Sequence, residues 1–506
     1  MTIDAQGGTA PGVRRRLASA RFNILWLAPV LALIAVGAWV FASPLGSAPD
    51  DDFHLASIWC AGTTEASTCA PGPEAGERLV PSALLDSPCY AHQGDRSAAC
   101  QGDSLEDSTS TEVSTRGNFK NNYPPVYYTV MSFFAGDDFV ASALLMRIVN
   151  VILFVAMTSA LFCLLPRARK PTLLSAWMIT TVPLGIFLIA SNNPSSWAII
   201  GVGSAWLALL GYFESEGRRK VALGALFVVA ALIASGARGD AAIYIVLSVG
   251  VVGILTFALN RRYLLSAILP VLVTVVAIAF YFSSLQSTVS VSGLGDPELD
   301  GPAPSDKFSL LATNLLNIPS LWVGIFAGDG WGLGWIDTAM PAVVSFGALA
   351  VFIAMVFTGL RDVNWRKTLA VTLVALVLWL LPAYVLTAGN NPVGHNVQPR
   401  YILPLFLVLA GLAVMTIGID RLRLSAPQAV FSLVALAVAQ SVALHANMGR
   451  YLTDAGSSGW NLNQGIQWWW DTPVSPMTVW IAGSLAFAAL VAILIREVVR
   501  PHAVTD

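Results

Sequence analysis

Apolar residues gather along this chain in long uninterrupted stretches, separated by short basic segments or by long polar ones. A helix needs about 17–25 apolar residues to cross the hydrocarbon of a bilayer. Stretches of that kind fall at 24–41, 140–165, 173–190, 197–213, 221–235, 241–259, 263–285, 342–360, 368–386, 402–419, 429–445 and 478–495. A shorter apolar piece, 126–135, precedes the second. The pattern predicts an all-α polytopic membrane protein of about twelve transmembrane helices. The first stretch is longer than the apolar core of a secretory signal and is expected to stay as an anchor.

The polar segments divide the chain further. A tail at 1–23 precedes the first helix at 24–41, and a large loop at 42–125 follows it. Helices two to seven occupy 126–285, and a second large loop spans 286–341. Helices eight to twelve occupy 342–495, with loops at 387–400 and 447–477, and a tail closes the chain at 496–506. Residues 308–327 in the second loop are expected to form a helix lying along the membrane surface. Nineteen of the 28 lysines and arginines sit on the other face, in the tails and short connections: for example Arg14, Arg15, Arg16, Lys170, Arg219, Arg262, Lys367, Arg423 and Arg496. The positive-inside rule puts that face in the cytoplasm, with both termini. The large loops are then extracytoplasmic, and the work of the protein is expected on their side.

Composition agrees. Hydrophobic residues make up 56% of the chain and charged residues 11%, too few to coat a soluble surface, and a net charge of -2 gives nucleic acid no basic face. Four of the five cysteines, Cys60, Cys69, Cys89 and Cys100, fall in the first large loop, where oxidation is permitted. Three pairings are possible, and the sequential one closes the shortest loops. The fifth, Cys163, lies in a span and is expected to pack there.

The strongest chemical signal is Pro49-Asp50-Asp51-Asp52-Phe53-His54, just past the first span. Three crowded carboxylates favour a raised pKa or a bound cation, so Asp50, Asp51 and Asp52 are candidate ligands for a divalent ion such as Mg, Mn or Ca. A carboxylate at the bilayer surface is also suited to act as a general base. The plainer reading is a cap on a helix beginning near Phe53. Arg147, Arg238 and Arg400 lie in or beside hydrocarbon at the outer leaflet, where guanidinium suits a lipid phosphate; the plainer reading is snorkelling or pairing with Asp240 or Asp337. Asn192-Asn193-Pro194 reads as turn chemistry.

Several motifs then line up in order. Pro49-Asp50-Asp51 with His54 resembles P-D-E-x-x-H, with Asp for Glu. Tyr123-Pro124-Pro125-Val126-Tyr127-Tyr128 is similar to H-P-P-x-Y-Y, with Tyr for His. Arg147 matches an arginine in the following helix. Gly332-Leu333-Gly334-Trp335-Ile336-Asp337-Thr338 resembles G-x-L-G-W-x-D-T, and Gln398-Pro399-Arg400-Tyr401 with Pro404 is similar to Q-G-R-Y-x-x-P. On these the chain resembles the GT-C superfamily of polytopic membrane glycosyltransferases, closest to a bacterial branch of uncharacterised membrane-domain proteins.

The resemblance implies a plasma-membrane enzyme with an extracytoplasmic active site. It would move a sugar from a polyprenyl-phosphate donor to a cell-envelope glycan or lipid acceptor in cell-wall biogenesis, with inversion. Asp50 or Asp51 would be the base, and His54 would orient the carboxylate or the phosphate. Arg400, with Arg147 or Arg238, would hold the donor phosphate. Tyr123, Tyr127, Trp335, Asp337, His395, Gln398 and Tyr401 would line the substrates. Two other readings compete: a transporter or flippase of lipid-linked sugars, and a glycan polymerase or ligase using a lipid-diphosphate donor. The polar residues gather at the outer face rather than mid-membrane, which disfavours transport.

Overall fold

The computed structural model describes residues 24–61, 69–102, 105, 110–294, 306–417, 422, 424–454 and 459–499. The basic residues of the N-terminal tail, with Arg421, Arg423 and Arg500, lie outside that set. A first helix, α1 (Ala28–Phe41), leads into a polar segment. That segment holds α2 (Asp51–Trp59), an antiparallel strand pair β1 (Arg78–Pro81) and β2 (Thr111–Ser114), and a short α3 (Ser82–Asp86). Then follow α4 (Val126–Ser132), α5 (Phe139–Leu164), α6 (Lys170–Thr180), α7 (Leu184–Ile189), α8 (Ser195–Phe213), α9 (Gly217–Ala237), α10 (Gly239–Thr256) and α11 (Arg261–Phe282). The chain continues through α12 (Gln286–Ser292), α13 (Lys307–Gly324), α14 (Ala342–Gly359), α15 (Trp365–Ala388), α16 (Pro399–Val414), α17 (Ala426–Leu452) and α18 (Pro476–Val499).

Among the described residues, 10 helices are long and apolar enough to cross a membrane, one for each of ten of the apolar stretches. The other two stretches differ, each for a physical reason. The stretch at 173–190 is split into α6 and α7 at Pro183. A proline there has no N–H for the helix ladder, and its ring collides with the preceding turn. Thr180 and Thr181 close the broken end by donating to the carbonyls of Ala176 and Trp177, both at 2.8 Å. The stretch at 402–419 becomes the 16-residue α16, which starts earlier, at Pro399, and is buried at every position but Tyr401. A helix enclosed by protein is not measured against bilayer thickness.

With α8, α16 forms the interior of the bundle. Small residues let their neighbours close in. A Cβ on Gly201 of α8 would lie 2.6 Å from the Ala230 carbonyl of α9, and one on Gly411 would lie 2.2 Å from the Trp206 ring. Cys163, expected in the packing, is exposed instead. Of the stretch 308–327, residues 308–324 are helical within α13, which packs on α15 and α16, and 325–327 form a turn. Its Asn314 bonds Thr387 and the Asn391 carbonyl, and the Trp379 indole returns a bond to Leu315.

Disulfides join Cys60 to Cys69 and Cys89 to Cys100, the sequential arrangement. Arg450 of α17 reaches the carbonyls of Tyr90, Gln93 and Arg96 and pairs with Asp337 at 3.2 Å. The His92 N–H donates to the same Asp337 carboxylate at 3.0 Å. The first polar segment is thereby tied to the helix bundle. At the opposite end, basic side chains close helix termini, as when Lys367 donates to the carbonyls of Gly359, Asp362 and Met415.

Candidate active site

Residues 42–50 form neither a regular helix nor a strand, so their buried carbonyls need donors from elsewhere. Side chains from remote elements supply them. Arg147 of α5 donates to Val40, Ser43 and Pro44 at 3.1, 2.6 and 2.7 Å. Asn447 donates to Ala42, Tyr90 and Gln101 to Leu45, and the Trp335 indole to Gly46. The Pro49 carbonyl receives two bonds, from Asn193 at 2.8 Å and Arg400 at 3.0 Å. This grip delivers Asp50 at φ 60, ψ 25, in the left-handed region. Asp tolerates that region better than most residues, at about 1–2 kcal/mol. Such backbone persists where its surroundings over-determine it, typically at functional sites.

The three aspartates diverge. Asp50 meets Arg400 at 2.6 Å and lies 3.8 Å from Arg116. Asp52 takes a forked pair of bonds from Arg116 at 2.8 and 2.6 Å. Asp51 is fully buried; one oxygen accepts the Ala48 N–H at 3.0 Å and the other has no partner among the described residues. The helix begins at Asp51, two residues before Phe53, and Asp50 makes no side-chain cap bond. Among the described residues no three His, Cys, Asp or Glu side chains converge as a cation site. Asp50 and Asp52 instead face a common guanidinium, Arg116.

Around Asp50 the cations and aromatics are shared. Two guanidiniums approach the Tyr401 ring, Arg238 at 4.7 Å and Arg400 at 5.0 Å from its centre. Arg238 also lies 5.6 Å from the Tyr123 ring and is paired with Asp240 at 2.8 Å. His54 is buried, its Nδ1 2.9 Å from the Tyr128 hydroxyl, with its ring edge-on to Tyr123. The side chain of Asp50 is 35% exposed whereas that of Arg400 is 2% exposed, so the carboxylate fronts the guanidinium.

Burial and charge set the titration of these groups. Burial works against ionisation of Asp50, but Arg400, through its charge and its hydrogen bond, together with Arg116 outweighs it and holds the carboxyl at about 2. Burial pushes Asp51 up to about 7 against the pull of Arg147. Burial also holds His54 well below the usual imidazole range, so the ring is neutral. It raises Tyr123 to about 12. Asp51 gives a pH prediction. Its folded pKa is raised, so folding favours the protonated acid, and stability falls as pH rises from the unfolded value near 4 through about 7. Melting temperature followed by intrinsic fluorescence in detergent is expected to drop across pH 4–7, and Asp51→Asn to flatten that slope.

Asp50, His54, Arg400, Arg238, Tyr123 and Tyr401 are thus gathered in one place. Other residues singled out in the sequence stand elsewhere. Arg147 and Trp335 grip the turn, and Asp337 joins Arg450 and His92. Tyr127 is buried against Trp197. His395 is exposed, and neither it nor Gln398 makes a side-chain bond into the Asp50 cluster among the described residues. Arg116, Tyr128 and Asn193 join the site without having been picked out for it. Asn193 does perform turn chemistry, accepting the Ser195 N–H at 2.9 Å, while its amide holds Pro49. Because Arg147 holds three carbonyls and faces Asp51, Arg147→Ala is expected to destabilise the fold by about 3–5 kcal/mol. A thermal melt checks this; an unchanged melt with weakened donor binding would instead assign Arg147 to the ligand.

The 10 long apolar helices among the described residues, carrying a polar site at one end, make this a polytopic α-helical membrane protein. Residues 33–409 match the family described as predicted membrane protein (DUF2142), and the chain belongs to that family. A search of curated proteins gives no match. Crystal structures of ArnT from Cupriavidus metallidurans, bound to undecaprenyl phosphate and in the apo state, are similar to the chain at 14% identity with TM-scores of 0.42 and 0.39. In both cases 94% of this chain and 77% of the other are covered.

Proposed function

We propose that this chain is a GT-C-type glycosyltransferase of the bacterial plasma membrane. It moves a sugar from a polyprenyl-phosphate donor to a hydroxyl of an envelope glycan or lipid on the extracytoplasmic face. The observation that carries the reading is a partly exposed carboxylate, Asp50, bonded to the buried guanidinium of Arg400, which shares the Tyr401 ring with a second buried guanidinium, Arg238. The ordered motifs resembling those of the superfamily support it, and the distribution of Lys and Arg supports the sidedness.

Asp50 takes the proton of the acceptor hydroxyl. The acceptor oxygen then forms its bond to the anomeric carbon while the bond from that carbon to the phosphate oxygen breaks, inverting the centre. The electron pair leaves on polyprenyl phosphate, whose charge Arg400 and Arg238 stabilise. At rest Arg400 makes Asp50 a weak base. A donor phosphate drawing on Arg400 divides that guanidinium between two anions and raises the basicity of Asp50 only when substrate is present. His54, neutral and bonded to Tyr128, orients the loop behind the carboxylate.

The test is a panel of polyprenyl-phosphate sugars offered to the protein in lipid nanodiscs with crude envelope acceptor, scored by release of polyprenyl phosphate. Turnover of one donor is expected, and it is expected to persist unchanged in EDTA. Movement of a lipid-linked sugar across the membrane of a reconstituted liposome, without turnover of any donor, would overturn the proposal in favour of transport.

A further inference from the structure

A cavity of about 770 Å³ lies between α1, α5, α6 and α18. It sits at the end of the bundle away from Asp50. From Arg147, beside the Asp50 turn, α5 runs to Leu164, roughly 25 Å of helix. The charged rim of the cavity follows at once, at Arg167 and Lys170. Its walls are apolar, built from residues such as Trp26, Val36, Phe154, Phe487 and Leu494. Two of the three hydroxyls that line it are already used: Thr158 donates to Phe154 and Thr181 to Trp177, each at 2.8 Å.

The rim has different chemistry. Among the described residues, neither Arg167 nor Lys170 forms an ion pair, and the Lys170 ammonium lies 4.5 Å from the centre of the Phe162 ring. The neighbouring Arg169, by contrast, is committed to Glu214 at 2.7 Å. Glu497 is the only carboxylate among the described lining residues, so two cations face one anion. An apolar chamber between membrane-spanning helices with an uncompensated positive rim has the complement of an anionic amphiphile. Basic pockets between such helices hold lipid headgroups in this way.

We propose that this cavity binds one anionic glycerophospholipid of the leaflet opposite the Asp50 site. An acyl chain fills the chamber and the phosphate rests on Arg167 and Lys170. The site is separate from the proposed sugar transfer and stands or falls independently of it.

The experiment is native mass spectrometry of the full chain in mild detergent, titrated with dioleoyl phosphatidylglycerol or dioleoyl phosphatidylcholine. Preferential retention of one phosphatidylglycerol is expected. Arg167→Ala with Lys170→Ala is expected to weaken it about 30-fold. Glu497→Gln is expected to strengthen it, a gain that misfolding cannot produce. Equal retention of phosphatidylcholine, no retained lipid, indifference to all three substitutions, or displacement by polyprenyl phosphate would each overturn the proposal.

Discussion

Asp50→Asn is expected to lower the rate of sugar transfer by about 10²–10⁴-fold while leaving the fold and donor binding close to those of the parent. The choice of Asn matters. Asp50 sits at φ 60, and Asn shares with Asp an unusual tolerance of that region, so the turn survives the change. The amide oxygen still accepts a bond from Arg400, which keeps that guanidinium in place. What disappears is the group that takes a proton. Single-turnover release of polyprenyl phosphate, measured beside a thermal melt, separates chemistry from folding. A variant that folds and still turns over at the parental rate would remove Asp50 from the base role. Asp51→Asn serves as the contrast. That carboxyl is fully buried and bonded to the Ala48 N–H, so its change is expected to show in pH-dependent stability and much less in rate.

Arg400→Gln is expected to reduce kcat/KM for the donor by about 10²–10³-fold and also to move the pH profile. With Arg400 present, Asp50 is held at about 2, so the base form is lost only at very low pH. Without it, the burial that already works against ionisation is less opposed. The carboxyl pKa rises, and the acidic limb of kcat/KM moves to higher pH. The two effects come from the two partners of one guanidinium, the carboxylate and the donor phosphate. A residue that merely supports the fold would lower the rate without displacing the acidic limb. A pH–rate series on both proteins decides between these roles.

The membrane architecture was legible in the sequence because hydrocarbon imposes a length and a polarity on whatever crosses it. Legibility failed where that rule stops applying. Pro183 interrupts an apolar stretch on local steric grounds, and α16 answers to its protein neighbours rather than to lipid. The site was legible by residue type: acids and arginines at a membrane surface are expensive enough to stand out. Direction was not legible. Arg147 and Trp335 have the right chemistry to hold a substrate, yet they hold the backbone that presents Asp50. Arg116 is an ordinary loop arginine until folding lays it against Asp52, 64 positions earlier. No local pattern announces a contact of that range.

The bond between Asp50 and Arg400 joins positions 350 apart in the chain. A ribosome adding about 5–20 residues per second needs on the order of 20–70 s to travel from one to the other. Throughout that interval the acidic turn waits at the membrane surface without its guanidinium. The disulfides close over separations of only 9 and 11 residues, so both can form before Arg400 is made. A nascent chain interrupted anywhere before α16 carries the acid but lacks the cation that completes it. On the proposed mechanism competence therefore arrives late in synthesis, and a fragment abandoned in the membrane before α16 transfers no sugar.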